Sequence, residues 1–218
     1  MSESLAPAPT PADRPAPRGL VGRIAAAWSG RHREVIRADL AAGVTEARLL
    51  AYVMGVGLLS LLTTLPAKLA ERAQLAAAPG GGEALSVGEV VTMHVVADLF
   101  FLPLFLYGVA ALIRIVLRLF GGEGGWQATR LAVFWAPIAA APAALVAAAA
   151  TSLLTVAGAA PMLTDAPGAL AGLIGLWFWC AGLAEAHGFR RAWPAFAAIV
   201  LIWIAGVLVY TYGSGAAA

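Results

Sequence analysis

Hydrophobic and polar positions along this chain fall into blocks rather than alternating residue by residue. Five long apolar runs stand out: Leu49 to Pro66, about 91–117, about 131–157, about 168–184 and about 192–212. About 20 residues at 1.5 Å each cross a hydrocarbon layer roughly 30 Å thick, so these runs have the length of membrane spans. In lipid every backbone N–H and C=O must pair within its own segment, which leaves helix as the conformation. The expected fold is all-α: a polytopic transmembrane helical bundle of five spans over residues 49–212. Thr45, followed by Glu46, stands where the first span needs an N-terminal cap.

Two other patterns precede the bundle. Residues 1–18 hold Pro7, Pro9, Pro11, Pro15 and Pro17, which withdraw backbone donors and predict a disordered, extended tail. Residues 19–48 read as an amphipathic cytoplasmic or interfacial region. Leu20, Ile24 and Trp28 fall four apart on one helical face, and Val35, Ile36 and Leu40 form a weaker stripe. Arg23, Arg31, Arg33 and Arg37 occupy much of the remainder. A basic helix with an apolar stripe suits an anionic lipid surface, and it equally suits packing against the protein's own spans. On the first reading Arg23, Trp28, Arg31, Arg33 and Arg37 contact lipid headgroups or a partner. Residues 213–218 are expected to form a short outside tail.

Composition supports the membrane class. The 218 residues are 61% hydrophobic and 12% charged, about half the charge of an ordinary globular domain, so a soluble fold lacks the polar surface it needs. The position of the charge then orients the bundle. With the N-terminus in the cytoplasm, Arg14, Arg18, Arg23, Arg31, Arg33, Arg37, Arg48, Arg114, Arg118, Arg130, Arg190 and Arg191 all lie inside, and only Lys68 and Arg72 lie outside. That split predicts five spans with the C-terminus outside, in a cell (inner or plasma) membrane. No short apolar core precedes Leu49, so the first run is expected to be an uncleaved span. Lys68 is the single lysine, a codon-bias hint of a bacterial genome.

The stretch GGEGGWQATR, residues 121–130, tests for nucleotide binding. A Walker loop needs Lys and then Ser or Thr after the last glycine, and none is present. The dinucleotide pattern fits at Gly122 and Gly124, but its third glycine falls on Gln127, and a membrane helix replaces the preceding strand. The stretch reads instead as a cytoplasmic hairpin turn holding the second and third spans side by side. Trp126 belongs at headgroup level, and Arg118 and Arg130 reach lipid phosphates.

The sequence GGEGGWQATRLAVFWAPIAAAP resembles the glycine-rich turn and third span of the Yip domain family of five-span membrane proteins. LWFWCAGLAEAHGFRRAWPAFAAIVLIW is similar to that family's fourth span, basic turn and last span. Gly121, Gly122, Gly125, Trp177, Gly182, His187, Gly188, Arg191 and Ala192 carry the resemblance, which covers about residues 40–212. Glu123 departs from it, standing where a basic residue is common, and so does the Ala-rich third span. The resemblance implies a cytoplasmic N-terminal region before five helices. It implies a Rab-type GTPase partner and membrane traffic only for a eukaryotic chain, and no established activity for a bacterial one.

Candidate chemistry is sparse. His94 and Asp98 share one face of the second span, and Pro103 withdraws the donor for the Leu99 carbonyl. An ionisable group at membrane depth costs at least about 2.5 kcal/mol, so it has a partner or a purpose. The pair is either a proton or ion relay, or a structural pair near the outer interface bonded to water or another helix. Glu185 and His187, with Arg190 and Arg191, are expected to end the fourth span and meet headgroups. His32, His94 and His187 show no metal-ligand spacing. Ser60, Ser152 and Cys180 lie in apolar runs with no base in pattern, and the lone cysteine permits no intramolecular disulfide. The small residues Gly168, Gly172 and Gly175, with Ala171, predict close helix packing, so the third and fourth spans are expected at the centre of the bundle. No enzyme motif, cofactor, metal or nucleic-acid partner is expected. The functional expectation is a membrane scaffold or adaptor that contacts anionic lipid headgroups and pairs with itself or another membrane protein. The alternative is a small-solute or proton-linked transporter using Asp98 and Pro-kinked spans.

Overall fold

The computed structural model describes residues 19–77 and 85–215, so the expectations for residues 1–18 and for the final 216–218 lie outside the described residues. Two short helices come first: α1 (Gly19–Ala26) and α2 (His32–Ala41). The break between them is made by Ser29 and Gly30, whose φ of 84° turns the chain sharply. Five long helices follow: α3 (Glu46–Ala77), α4 (Val87–Leu119), α5 (Trp126–Val156), α6 (Pro161–Ala186) and α7 (Trp193–Gly215). Four of them, α3–α6, are long and apolar enough to cross a membrane, and α7 is apolar over a shorter length, Trp193–Gly206. The molecule is therefore a polytopic helical bundle. At 1.5 Å per residue the 31 residues of α5 extend to about 46 Å, longer than the hydrocarbon layer itself.

Local chemistry sets the helix ends. The Thr45 hydroxyl accepts from the Arg48 amide at 3.3 Å, as its place before α3 predicts. Ser86 and Glu89 form a reciprocal capping box at the start of α4. Inside α4 the register slips at residues 97–101, where the Leu102 amide reaches back to the Ala97 carbonyl. This π-helical turn lies just before Pro103, which cannot donate.

α5 is central and touches α3, α4 and α6, while α7 packs on α4 and α6. The extensive α5–α6 contact matches the expectation that the third and fourth spans make the middle. The core is concentrated at one end. Buried residues run through Leu49–Gly57 of α3, Leu106–Leu117 of α4, Leu131–Ala140 of α5 and Phe178–Ala186 of α6. That end, the basic end, carries most of the arginines. Toward the other end the helices part, leaving a groove of about 560 Å³ between α3, α5 and α6. Gly168 and Gly172 line it, and a methyl group added to either would meet nothing within 4 Å. Only Gly175 has a neighbour there: its added methyl would touch that of Ala140 at 3.9 Å. Within one chain, then, Gly175 lies beside Ala140, and Gly168 and Gly172 face open space.

Helices approach most closely at Gly57. A methyl group there would overlap the Asp98 carbonyl oxygen, a backbone atom fixed in the π-helical turn. Gly57→Ala is expected to cost about 1–3 kcal/mol through forced separation of α3 and α4. Thermal unfolding in detergent should show a lowered midpoint for it, and an unchanged one for Gly172→Leu.

Candidate functional site

The prolines of α5 decide where the other elements attach. Pro137 has no N–H for the Val133 carbonyl four residues back, and the Trp179 indole of α6 donates to that carbonyl instead, at 2.8 Å. Pro142 withdraws the donor for the Ile138 carbonyl one turn later, and the Trp28 indole donates to the next carbonyl, that of Ala139, at 2.8 Å. Trp28 also meets Phe178 edge to face at 5.8 Å. Ala139 lies 13 residues into α5, roughly 20 Å from its start, so the α1–α2 break is wedged deep along the bundle.

The N-terminal helices thus pack against the protein's own spans. Val35 and Ile36 are fully buried, whereas Leu20 and Trp28 are half exposed, so the weaker of the two expected stripes is the one that packs. His32 Nε2 donates to the Phe178 carbonyl at 3.0 Å, against Gly182. Its Nδ1 is buried with no partner among the described residues, which fits a neutral ring.

The arginines of this segment are occupied by the chain itself. Arg23 pairs with Asp39, donates to the Tyr52 hydroxyl and stacks 4.8 Å over Trp135. Arg48 reaches the other oxygen of Asp39 at 3.5 Å. Arg31 pairs with Glu34 at 2.7 Å. Arg33 and Arg37 take one oxygen each of Glu185, at 2.8 and 2.7 Å, and Arg33 also donates to the carbonyls of Phe189 and Arg190. Glu185, expected to meet headgroups, instead clamps α2 to α6 with its carboxylate only 11% exposed. Two acids, Asp39 and Glu185, organise this layer. Sequence pattern gave no sign of Asp39, which shares no helical period with its partner on α1.

The two glycine-bearing motifs meet at the same end. α4 and α6 close alike: Gly122 N–H reaches the Leu117 carbonyl at 2.9 Å and Phe189 N–H the Ala184 carbonyl at 2.8 Å, with Gly121 and Gly188 at positive φ between. The Glu123 amide donates to the His187 carbonyl at 3.3 Å, joining the turns. The His187 ring is buried under the loop. A methyl on Gly122 or Gly124 would stand 2.7 or 2.8 Å from its Nδ1. Thr129 donates its hydroxyl to the Gly125 carbonyl at 3.0 Å and so accepts from His187 Nε2 at 2.9 Å. The glycine loop cradles an imidazole of its own chain. His187, expected at the headgroups, is interior. Gly125 and Arg191 are exposed at these turns, whereas exposed Trp177 lies by His32, ring centroids 6.4 Å apart, and Gly182 lies under the same His32.

His94 and Asp98 do not bond each other. His94 Nδ1 donates to the Val90 carbonyl at 2.9 Å in its own helix. Asp98 accepts from the Ser60 hydroxyl of α3 at 3.0 Å, and its second oxygen is buried without a partner among the described residues. No group of three or more metal-ligating side chains occurs among the described residues.

Fold and basic end together define the class, a polytopic helical membrane protein with its N-terminal helices and glycine turns locked together at one end. The Yip1 domain model matches residues 33–213, and the chain belongs to that family. Comparison with curated proteins and with solved structures finds no match.

Burial holds both interior histidines below their ordinary value near 6.5, at about 4; the Arg114 charge adds to the effect at His187, while the Phe178 carbonyl opposes it at His32. Between these values the unfolded chain binds protons that the folded one refuses, so this stability is whole above pH 6.5 and lost as pH falls to about 4. The thermal midpoint in detergent should drop across that window, and His32→Gln and His187→Gln should each flatten the drop.

Proposed function

We propose that this protein is a non-enzymatic membrane scaffold or adaptor. Its helices anchor it, and its basic N-terminal layer contacts anionic lipid or a cytoplasmic partner. One observation carries the reading: α1 and α2 are fixed to the bundle by Trp28, His32, Arg33 and Arg37, which makes the basic end a rigid platform. The arginine distribution supports a cytoplasmic platform on a multi-pass protein of the cell membrane, with the C-terminus outside.

A transporter needs a polar path, and polar groups in the spans are spent elsewhere. Ser60 serves Asp98, while Thr63, Thr64 and Ser152 donate to carbonyls of their own helices. The 560 Å³ groove is lined mainly by Ala and Gly with the hydroxyls of Thr63, Thr64, Thr151 and Ser152, it holds no ionisable side chain, and Asp98 is not part of it. The buried, unpaired oxygen of Asp98 is what favours the second reading, a proton-linked transporter.

Two measurements separate the readings. Chemical crosslinking in native membranes should yield a discrete adduct that Arg33→Ala with Arg37→Ala abolishes by undocking α2. Removing residues 1–18 tests the tail alone, whereas a cut after α2 would strip buried side chains from the core. In proteoliposomes the scaffold reading expects no proton flux above empty vesicles. A flux that Asp98→Asn abolishes would replace it with the transporter.

A further inference from the structure

Arginines at the basic end are of two kinds. Arg23, Arg31, Arg33, Arg37, Arg48 and Arg130 each pair with a carboxylate of the chain. Among the described residues Arg114, Arg118, Arg190 and Arg191 pair with none. These four come from just two segments, the last turns of α4 and the link between α6 and α7. The segments touch: Phe120 meets Trp193 edge to face at 6.1 Å, and the Glu123 amide bonds the His187 carbonyl. Glu123 is the one acid in residues 114–126 and 187–194, so the corner has four cations against one anion.

The rest of the corner suits a phosphate with acyl chains attached. Arg114 lies over the Trp126 ring at 4.1 Å, with its Nε buried and unpartnered. A cavity of about 600 Å³ opens among Phe189, Arg190, Arg191, Trp193 and Pro194. α7 begins there, so the positive end of its dipole adds to the guanidinium charge. The same two segments carry exposed apolar side chains, Leu112, Ile115 and Leu119 of α4 and Phe196 of α7. A free phosphate gains nothing from that surface, and a soluble phosphoprotein would leave it bare. We propose that the corner between α4 and α7 binds an anionic phospholipid, its phosphate on Arg118, Arg190 and Arg191 and its chains along α4 and α7. This deepens the lipid-contact part of the proposed function, and moves the contact from the N-terminal arginines to three that pair with no carboxylate among the described residues.

The test uses the purified full chain in mixed micelles of phosphatidylglycerol and phosphatidylcholine, with retained lipid counted by native mass spectrometry. The wild type should retain phosphatidylglycerol preferentially. Each arginine near a charged surface contributes about 1 kcal/mol, or about fivefold. Arg191→Gln should therefore lose about fivefold, and Arg118→Gln, Arg190→Gln and Arg191→Gln together more than tenfold. The same three positions changed to Lys should keep most of the preference, and Arg72→Gln at the other end should keep all of it. If the triple Gln variant does not fold, the single variant decides. Wild-type retention in the Gln variants overturns the proposal. So does equal displacement by millimolar glycerol phosphate, which would mark a site for free phosphate. Loss on removing residues 1–18 but not in the triple variant would overturn the corner and leave the N-terminal lipid contact standing.

Discussion

A backbone carbonyl in a low-dielectric layer must find a donor, and an unpaired one costs several kcal/mol. α5 breaks its own ladder at Pro137, and the Val133 carbonyl freed there is met by the Trp179 indole of α6; beside the second break, at Pro142, the Trp28 indole of the N-terminal segment bonds the Ala139 carbonyl. Each bond is also a tether. The need to satisfy the Val133 carbonyl draws α6 against α5, and the Ala139 bond holds the α1–α2 break along its side. α4 handles Pro103 differently, by a π-helical turn that swings Asp98 toward Ser60 and requires Gly57 opposite.

These tethers explain why the basic end is dense and the other end open. Trp28 and Trp179 attach within the buried stretch of α5, and beyond Ala140 only Ala147 of that helix is buried. The dense end then gathers the charges. Asp39 and Glu185, nearly covered by protein, hold arginines from α1, α2 and α3; the Arg23–Asp39 pair is covered on both sides and keeps most of its strength, while Arg33, Arg37 and Arg48 reach their acids from the more exposed side. Removing one partner would strand a charge, so the layer docks as a unit. Arginines that pair with no carboxylate among the described residues are left at the α4–α7 corner, on segments that also carry exposed apolar side chains.

Much of this is legible in sequence, and the limits have physical causes. Apolar run length identifies membrane helices without any tertiary knowledge, and the cap at Thr45 follows from local backbone chemistry. The glycine turn at 121–125 is readable as a turn, and the family resemblance is carried by residues that meet in space. Its occupant, His187, lies more than 60 residues away, and only folding brings it under Gly122 and Gly124. The face of α2 that packs is likewise a tertiary matter: Val35 and Ile36 form the poorer stripe but meet α6, while Leu20 stays exposed. Spacing put His94 and Asp98 on one face, yet each found a nearer partner in Val90 or Ser60. Gly168 and Gly172 satisfy a helix-packing pattern, yet nothing among the described residues lies within 4 Å of where their methyl groups would stand.

The central claim is that α1 and α2 belong to the bundle and do not trail from it. Hydrogen–deuterium exchange on the intact protein in lipid nanodiscs tests this most directly. Amides of His32–Ala41 should exchange as slowly as those of the covered turns of α6 that they pack against. Complete exchange of that segment within seconds, alongside a protected α5 and α6, would contradict it.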